Sequence, residues 1–284
     1  MKGFPTILSL VLPTLLAFGA CSVLEDRDPC PCRLSLVWVR SGVLSALPEK
    51  TLVLSLRNTE EELISRESLP LSAFTDAGVF ALTVPKEERL SVCGICGLSR
   101  SQSPQDWDIR IPEGRPADSL WLFSLQTDSR CESLTLPVRI RKEYAGLEIS
   151  FAEALENPEA EFPYFLRLIG ESCGLDLTTG DPIPGTFDCR MTEVSPGVFR
   201  STLPRQRPSD ALVVELWSKE SGKAEADGPA NRISLDELIA DTRAFSWLDE
   251  DLKDLRIRID YAQAALQITV LSWEGSSDPY HYSI

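Results

Sequence analysis

Large hydrophobic residues alternate with polar ones along most of the chain beyond Cys32, and the period is two. In Leu34-Ser35-Leu36-Val37-Trp38-Val39-Arg40 and in Leu52-Val53-Leu54-Ser55-Leu56-Arg57, every second residue is a large hydrophobe. A strand needs that pattern when one face lines a core and the other meets water. Similar runs span Gly78 to Val84, Leu90 to Cys96, Leu120 to Leu125 and Leu134 to Arg141, and Leu147-Glu148-Ile149-Ser150-Phe151 closes the set. Short strands at this spacing predict a β-sandwich over residues 33–156. The segment Asn157-Pro158-Glu159-Ala160-Glu161-Phe162-Pro163 breaks the pattern with two prolines and little apolar content, so a second unit is expected over 157–284. Its strands are predicted at Tyr164 to Ile169, Gly197 to Thr202, Leu212 to Trp217, Leu255 to Ile259 and Leu266 to Leu271, the last two pairing as a hairpin. One helix has a mechanism behind it: Ser234 and Glu237 form a capping box, and Leu235, Leu238, Ile239 and Thr242 recur on one face. Stretches rich in Gly, Pro, Ser and charge at 101–119, 178–187 and 218–232 read as loops. The expected class is therefore all-β, two tandem β-sandwiches with one short helix in the second.

The first twenty residues follow a different rule. Lys2 precedes an apolar run from Ile7 to Phe18, and Gly19 and Ala20 stand before Cys21. That order reads as an export signal over residues 1–20. The run falls short of the ~20 apolar residues that a spanning helix needs, and Pro5 and Pro13 interrupt it. Leu16-Ala17-Phe18-Gly19-Ala20-Cys21 resembles a bacterial lipobox, with Phe18 where that pattern prefers Leu. The resemblance implies that Cys21 is lipidated and becomes the mature N-terminus. Each buried CH₂ contributes about 0.8 kcal/mol, so two or more acyl chains hold a soluble body on a membrane. Residues 21–32 then form an acidic tether, and Glu25-Asp26-Arg27-Asp28 is similar to the signal that sends lipoproteins of Bacteroides-like bacteria to the outer cell surface.

Charge excludes one class of partner. The 28 Lys and Arg stand against 43 Asp and Glu, a net charge of -15 that repels phosphate backbones, so no nucleic acid is expected to bind. The single histidine, His281, lies in a polar C-terminal tail, which leaves histidine triads and multi-histidine metal sites without material. No catalytic residue and no cofactor can be nominated: serines lack a partner base, and no phosphate loop or dinucleotide fingerprint occurs. The run Asp249-Glu250-Asp251 with Asp254 lacks the spacing of a calcium loop and reads as a solvated turn.

Beyond Cys21 the cysteines are Cys30, Cys32, Cys93, Cys96, Cys131, Cys173 and Cys189, an odd number, and an oxidising compartment favours disulfides. Cys173 with Cys189 is the first candidate pair because both fall in the second unit. Cys93-Gly94-Ile95-Cys96 has redox spacing, and with Cys30 and Cys32 could supply four thiolates to zinc. Its strand-like surroundings favour structural, buried thiols instead, so no metal is expected. Trp107, in a Pro-rich polar loop, reads as an anchor against the sandwich, with an exposed sugar platform as the alternative.

The stretch Glu25-Asp26-Arg27-Asp28-Pro29-Cys30-Pro31-Cys32, followed at once by a strand, resembles the start of fimbrial anchoring lipoproteins of the FimB type from Bacteroides-like bacteria. Ile268-Thr269-Val270-Leu271-Ser272-Trp273 matches the family's late strand, and Leu235 to Thr242 matches a helix of its second domain. These short motifs occur in the family's order along nearly the whole chain. The resemblance implies two transthyretin-like sandwiches and no enzymatic activity. It further implies a lipoprotein of the outer membrane that holds a fimbrial shaft subunit at the base of the fimbrium. An open sandwich edge would accept a strand of that subunit. The few residues after Trp273 leave little for a donor strand, which suits a basal subunit. The alternative class is a surface adhesin or glycan-binding lipoprotein, in which loops and exposed tryptophans make the contacts. An exported hydrolase using paired carboxylates has no local motif behind it.

Overall fold

The computed structural model of the chain describes residues 30–39, 51–72, 78–99, 107–156, 159–219, 228–242, 245–260, 265–271 and 277–283. The chain runs through β1 (Cys32–Trp38), β2 (Thr51–Arg57), β3 (Leu63–Pro70), β4 (Val79–Val84), β5 (Leu90–Cys96), β6 (Asp108–Arg110), β7 (Trp121–Thr127), β8 (Ser133–Val138) and β9 (Arg141–Lys142). It continues through β10 (Tyr144–Phe151), α1 (Ala152–Glu156), β11 (Tyr164–Asp176), β12 (Pro182–Arg190), β13 (Thr192–Ser195) and β14 (Val198–Pro204). Last come β15 (Leu212–Ser218), β16 (Asn231–Ser234), α2 (Leu235–Thr242), β17 (Asp254–Asp260), β18 (Ala265–Leu271) and β19 (Ser277–Ser283). The protein is all-β, as its alternation predicts, and among the described residues it carries the short helices α1 and α2, where the sequence predicts α2 alone.

The first sandwich packs a three-stranded sheet, β4-β1-β8, on a five-stranded sheet, β3-β2-β5-β7-β9. Its core takes Leu34 and Leu36 from β1, Leu52, Leu54 and Leu56 from β2, and Phe123 from β7, all buried. The period of two puts these side chains on one face, and burying each contributes about 1.5–3 kcal/mol. The second sandwich packs a six-stranded sheet, β13-β14-β10-β17-β18-β19, on a sheet of order β12-β11-β15-β16. Leu147, Ile149 and Phe151 of β10 meet Leu166 and Leu168 of β11 and Val214 and Leu216 of β15 there, with Leu235 and Ile239 of α2 on the same core. A smaller cluster joins the two units: Cys93 and Ile95 of β5 and Leu122 of β7 pack with Trp107, Ile109 of β6 and Leu175 of β11. At that seam β6 pairs with the end of β11, and Gly174 is required because a Cβ there would stand 2.2 Å from the Ile109 carbonyl oxygen.

Several elements differ from the expectation. Leu147 to Phe151, read as closing the first unit, lies inside the six-stranded sheet, antiparallel to β14 and parallel to β17. Alternation reports that a strand exists but not which sheet it joins. The stretches 178–187 and 218–232, read as loops, contain most of β12 and the start of β16. Gly and Pro in β12 accompany register shifts against β11, so a bulged strand has loop-like composition. The polar C-terminal tail with His281, for which no strand is predicted, forms β19, antiparallel to β18, with His281 opposite Gln267. The β17/β18 hairpin and the α2 boundaries match the expectation. At the helix start the Ser234 hydroxyl donates to Asp236 Oδ1 at 2.8 Å, a local substitute for the expected box with Glu237.

The chain passes from the first sandwich into the second through residues 139–143, and buried charge fixes that passage. Glu143 accepts from Arg205 Nε at 2.5 Å, with side-chain exposures of 1% and 11%. Arg205 also donates to the carbonyl oxygens of Trp247 and Asp249. Lys142 is buried, reaches Asp254 Oδ1 at 2.5 Å, and sits 4.5 Å from the Tyr144 ring centroid. Asp251 accepts from the Lys142 amide at 2.9 Å and from Arg139 at 3.0 Å. The acidic run 249–254 is thus a clamp on the crossover.

A second buried network holds the turn between β14 and β15. Asp210 accepts from the Ser172 hydroxyl and from the amide and guanidinium of Arg207, and Gln206 bonds both to the amide and the carbonyl of Ser172. Burial pushes the Asp210 carboxyl up, but the bonds from Ser172 and Arg207 outweigh it and hold the group below its ordinary value. Such a carboxylate stabilises the fold above the unfolded value of about 3.9 and loses its contribution as pH falls through the folded value. In acid titrations Asp210→Asn should therefore flatten the low-pH limb of stability and leave the neutral-to-alkaline slope unchanged. Glu143→Ala, which strands the Arg205 guanidinium, should cost about 3–5 kcal/mol in urea unfolding.

Candidate functional site

The two sheets of the first sandwich are unequal, and the smaller one supplies the best surface for a partner strand. Among the described residues, sheet β4-β1-β8 ends at β4 on one side and at β8 on the other. Leu134 and Leu136 of β8 and Phe80 and Leu82 of β4 are only partly buried, yet all pack on the core. The sheet therefore covers its core incompletely at both edges. On β8 the backbone geometry can be read directly. Arg33 N donates to Glu132 O and Val39 N donates to Val138 O, both at 2.9 Å, so the even-numbered residues face β1. The backbone groups of Ser133 and Thr135 then face away from β1, because successive residues of a strand alternate sides. Pro137 shares that side and has no N–H to offer, a residue tolerated at sheet edges. An extended segment laid along β8 would find amide and carbonyl groups on the open side, and hydrophobic positions at Leu134 and Leu136 to pack against.

The second sandwich carries two outward-facing features. On the six-stranded sheet Glu148 stands between Arg200 and Arg256, its register partners on the two neighbouring strands, at 2.7 Å and 2.8 Å. This charged row lines an open groove of about 500 Å³ that also includes Arg190, Thr192 and Val194. On the opposite sheet Phe165 and Trp217 stack with centroids 6.4 Å apart and planes 13° apart, and the Arg190 guanidinium lies 4.3 Å above Phe165. Arg167, paired with Asp188, borders the same hollow of about 430 Å³. Trp217 ends a strand that the sequence predicts, and only its register beside Phe165 on β11 reveals this half-buried aromatic face.

The cysteines are dispersed. Cys21 lies outside the described residues. Cys30 is exposed just before β1. Cys93 and Cys96 are both buried in β5, but Cys93 faces the seam between the units and Cys96 faces the first core. An odd spacing of three along a strand puts them on opposite faces, so they do not act together as a redox pair or as neighbouring metal ligands. Burial pushes the Cys93 thiol well above its ordinary range, which keeps it unreactive. Between them Gly94 lies under Phe123, where a Cβ would come within 2.0 Å of the ring.

Cys173 and Cys189, the pair expected from sequence, do not meet. Both sit on the β11/β12 ladder, but Cys189 is opposite Leu168, five residues from Cys173. At strand rise that separation is about 16 Å, against a limit near ~7 Å between the Cα atoms of a disulfide. Cys189 is buried beside the Ser201 hydroxyl, whereas the Cys173 thiol points at the Pro184 carbonyl. The sulfurs that do meet are those of Cys32 and Cys131, 3.8 Å apart. Trp107 is only 9% exposed and lies beneath the Arg57 guanidinium at 4.7 Å, so it serves as the loop anchor and not as a sugar platform.

No family model matches the sequence, and no curated protein matches it. Solved structures do. A candidate polysaccharide-binding protein from Bacteroides thetaiotaomicron superposes with a TM-score of 0.60 at 14% identity, over 89% of this chain and 98% of the other. A candidate adhesin from Bacteroides ovatus gives 0.58 at 13% identity, covering 92% and 98%. The fimbrial anchor protein Mfa2 from Porphyromonas gingivalis gives 0.57 at 10% identity, covering 90% and 98%. At such identities the likeness is one of fold, and it extends over almost the full length of each partner. The chain therefore has the two-sandwich fold of a Bacteroidales fimbrial anchor, the architecture that its short sequence motifs resemble.

Proposed function

We propose that the protein is a surface lipoprotein that anchors or nucleates a fimbrium, held to the outer membrane through lipid on Cys21. The observation that carries this reading is the open three-stranded sheet of the first sandwich, in a chain whose fold matches a fimbrial anchor. The shaft subunit supplies a strand that lies along β8, where the outward backbone amides of Ser133 and Thr135 give main-chain hydrogen bonds and Leu134 and Leu136 give apolar contacts. Binding of this kind needs no catalytic group. The division of labour follows the chain: residues 1–20 direct export, 21–32 tether, and the two sandwiches present the docking edge.

A glycan-binding adhesin is the second reading, favoured by the Phe165, Trp217 and Arg190 stack on the outer face of β11, β12 and β15. An aromatic face beside fixed donors suits a sugar ring. Titration with a glycan panel separates the two: a saturable tryptophan signal lost in Trp217→Ala favours the adhesin.

Two substitutions test the anchor. Cys21→Ala should move the protein from the membrane fraction to the soluble fraction, and retention in the membrane would sink the lipid tether. Thr135→Pro removes the outward amide of β8 without touching the β1 ladder. It should weaken capture of shaft subunits at least tenfold and leave thermal stability close to that of the parent. Unchanged capture would sink the use of the β8 edge.

A further inference from the structure

We propose that Cys32 and Cys131 form a disulfide that ties the start of β1 to the start of β8 and routes tension around the first sandwich. The two sulfurs are 3.8 Å apart although the residues are 99 positions apart in sequence. The backbone holds them there: β1 and β8 run parallel with Arg33 opposite Ser133, and Arg33 N donates to Glu132 O at 2.9 Å. Both cysteines thus precede the first rungs of one ladder and enter from the same end. Cys32 is buried and fixed in the core, and Cys131 is exposed with its thiol 3.3 Å from the Ser133 carbonyl. Rotation of the exposed Cys131 side chain is the motion that closes the gap to the ~2.05 Å of a disulfide.

The chemistry is a thiol–disulfide exchange with a disulfide-bearing oxidase of the export compartment. Cys131, the accessible member, attacks one sulfur of that oxidase as the thiolate and releases the other, leaving a mixed disulfide. Cys32 then displaces the oxidase sulfur from Cys131. The protein has lost two S–H bonds and gained one S–S bond, and the oxidase leaves as a dithiol carrying the two protons and two electrons. Burial and the neighbouring Cys131 thiol push the Cys32 thiol up to about 11, so oxidation removes a buried group that resists ionisation.

The consequence rests on the anchor reading. The loop closed by this bond contains every strand of the first sandwich before β8, together with β6, which pairs with β11. A pull between the tether at Cys30 and a shaft strand held on β8 would pass through the bond into Cys131 and directly into β8. The strands inside the loop would carry none of it. Cys30 would remain outside the loop.

The test is mass spectrometry of the full chain purified from its own cells with thiols blocked at lysis. Trypsin should release the peptide ending at Arg33 joined to the peptide from Cys131 to Arg139, lighter than their sum by two hydrogens. The same linkage should persist in Cys30→Ser and vanish in Cys131→Ser. Reduction should lower the melting temperature of the parent and leave that of Cys131→Ser unchanged. Free Cys131, or a Cys131 joined to Cys30 and lost in Cys30→Ser, would overturn the proposal. A Cys32 to Cys131 linkage in a protein that recovers no shaft subunit would support the bond while removing the anchor reading.

Discussion

The structure depends on how the chain crosses from one sandwich to the other. Residues 139–143 must leave the first core and deliver β10 into the middle of a six-stranded sheet, which brings Lys142 and Glu143 out of water. Neither charge is tolerable there alone, and each is met: Glu143 by Arg205, Lys142 by Asp254. Asp254 also accepts from the Gly146 amide at 2.6 Å, so the same carboxylate fixes the start of β10. The partners come from the turn after β14 and from the first residue of β17, the two strands that flank β10. The ion pairs thus specify which strands neighbour β10, and they explain why an acidic run with no calcium spacing occurs at 249–254.

Much of this was legible in the sequence where local physics decides. Strands with strict alternation, such as β1, β2 and β5, stand within a residue or two of the positions their side chains predict. The helix α2 does the same because its apolar face and its start signal agree. What could not be read was partnership. Leu147 to Phe151 looks the same whether it closes the first sandwich or centres the second, since the deciding contacts lie some 50 and 110 positions away in β14 and β17. Cysteine pairing failed for a related reason: Cys173 and Cys189 share a unit and even a ladder, but register separates them, while Cys32 and Cys131 are brought together by parallel pairing that no local pattern announces. Trp217 lies on an alternating strand, and only the placement of Phe165 and Arg190 shows its outward stack.

The proposed function rests on an asymmetry between sheets. Five strands against three leave part of the first core under edges β4 and β8, and a protein that stayed alone would be expected to cover such edges with charge or a bulge. β8 offers Pro137, which blunts one outward position, and otherwise leaves its outer side open to a partner strand. On the second sandwich the row of Arg200, Glu148 and Arg256 is an outward-facing cross-strand ladder of charge. In the proposed anchor, an edge that pairs with an extended segment needs no moving part, so a two-sandwich body on the proposed lipid tether would suffice to hold a filament.

Hydrogen exchange on the native protein bound to its shaft subunit tests this most directly. The account predicts new protection at the amides of Ser133 and Thr135, with no change on the outer face of β11 and β15. Protection confined to the Phe165 and Trp217 face, with the β8 amides exchanging as in the free protein, would contradict it.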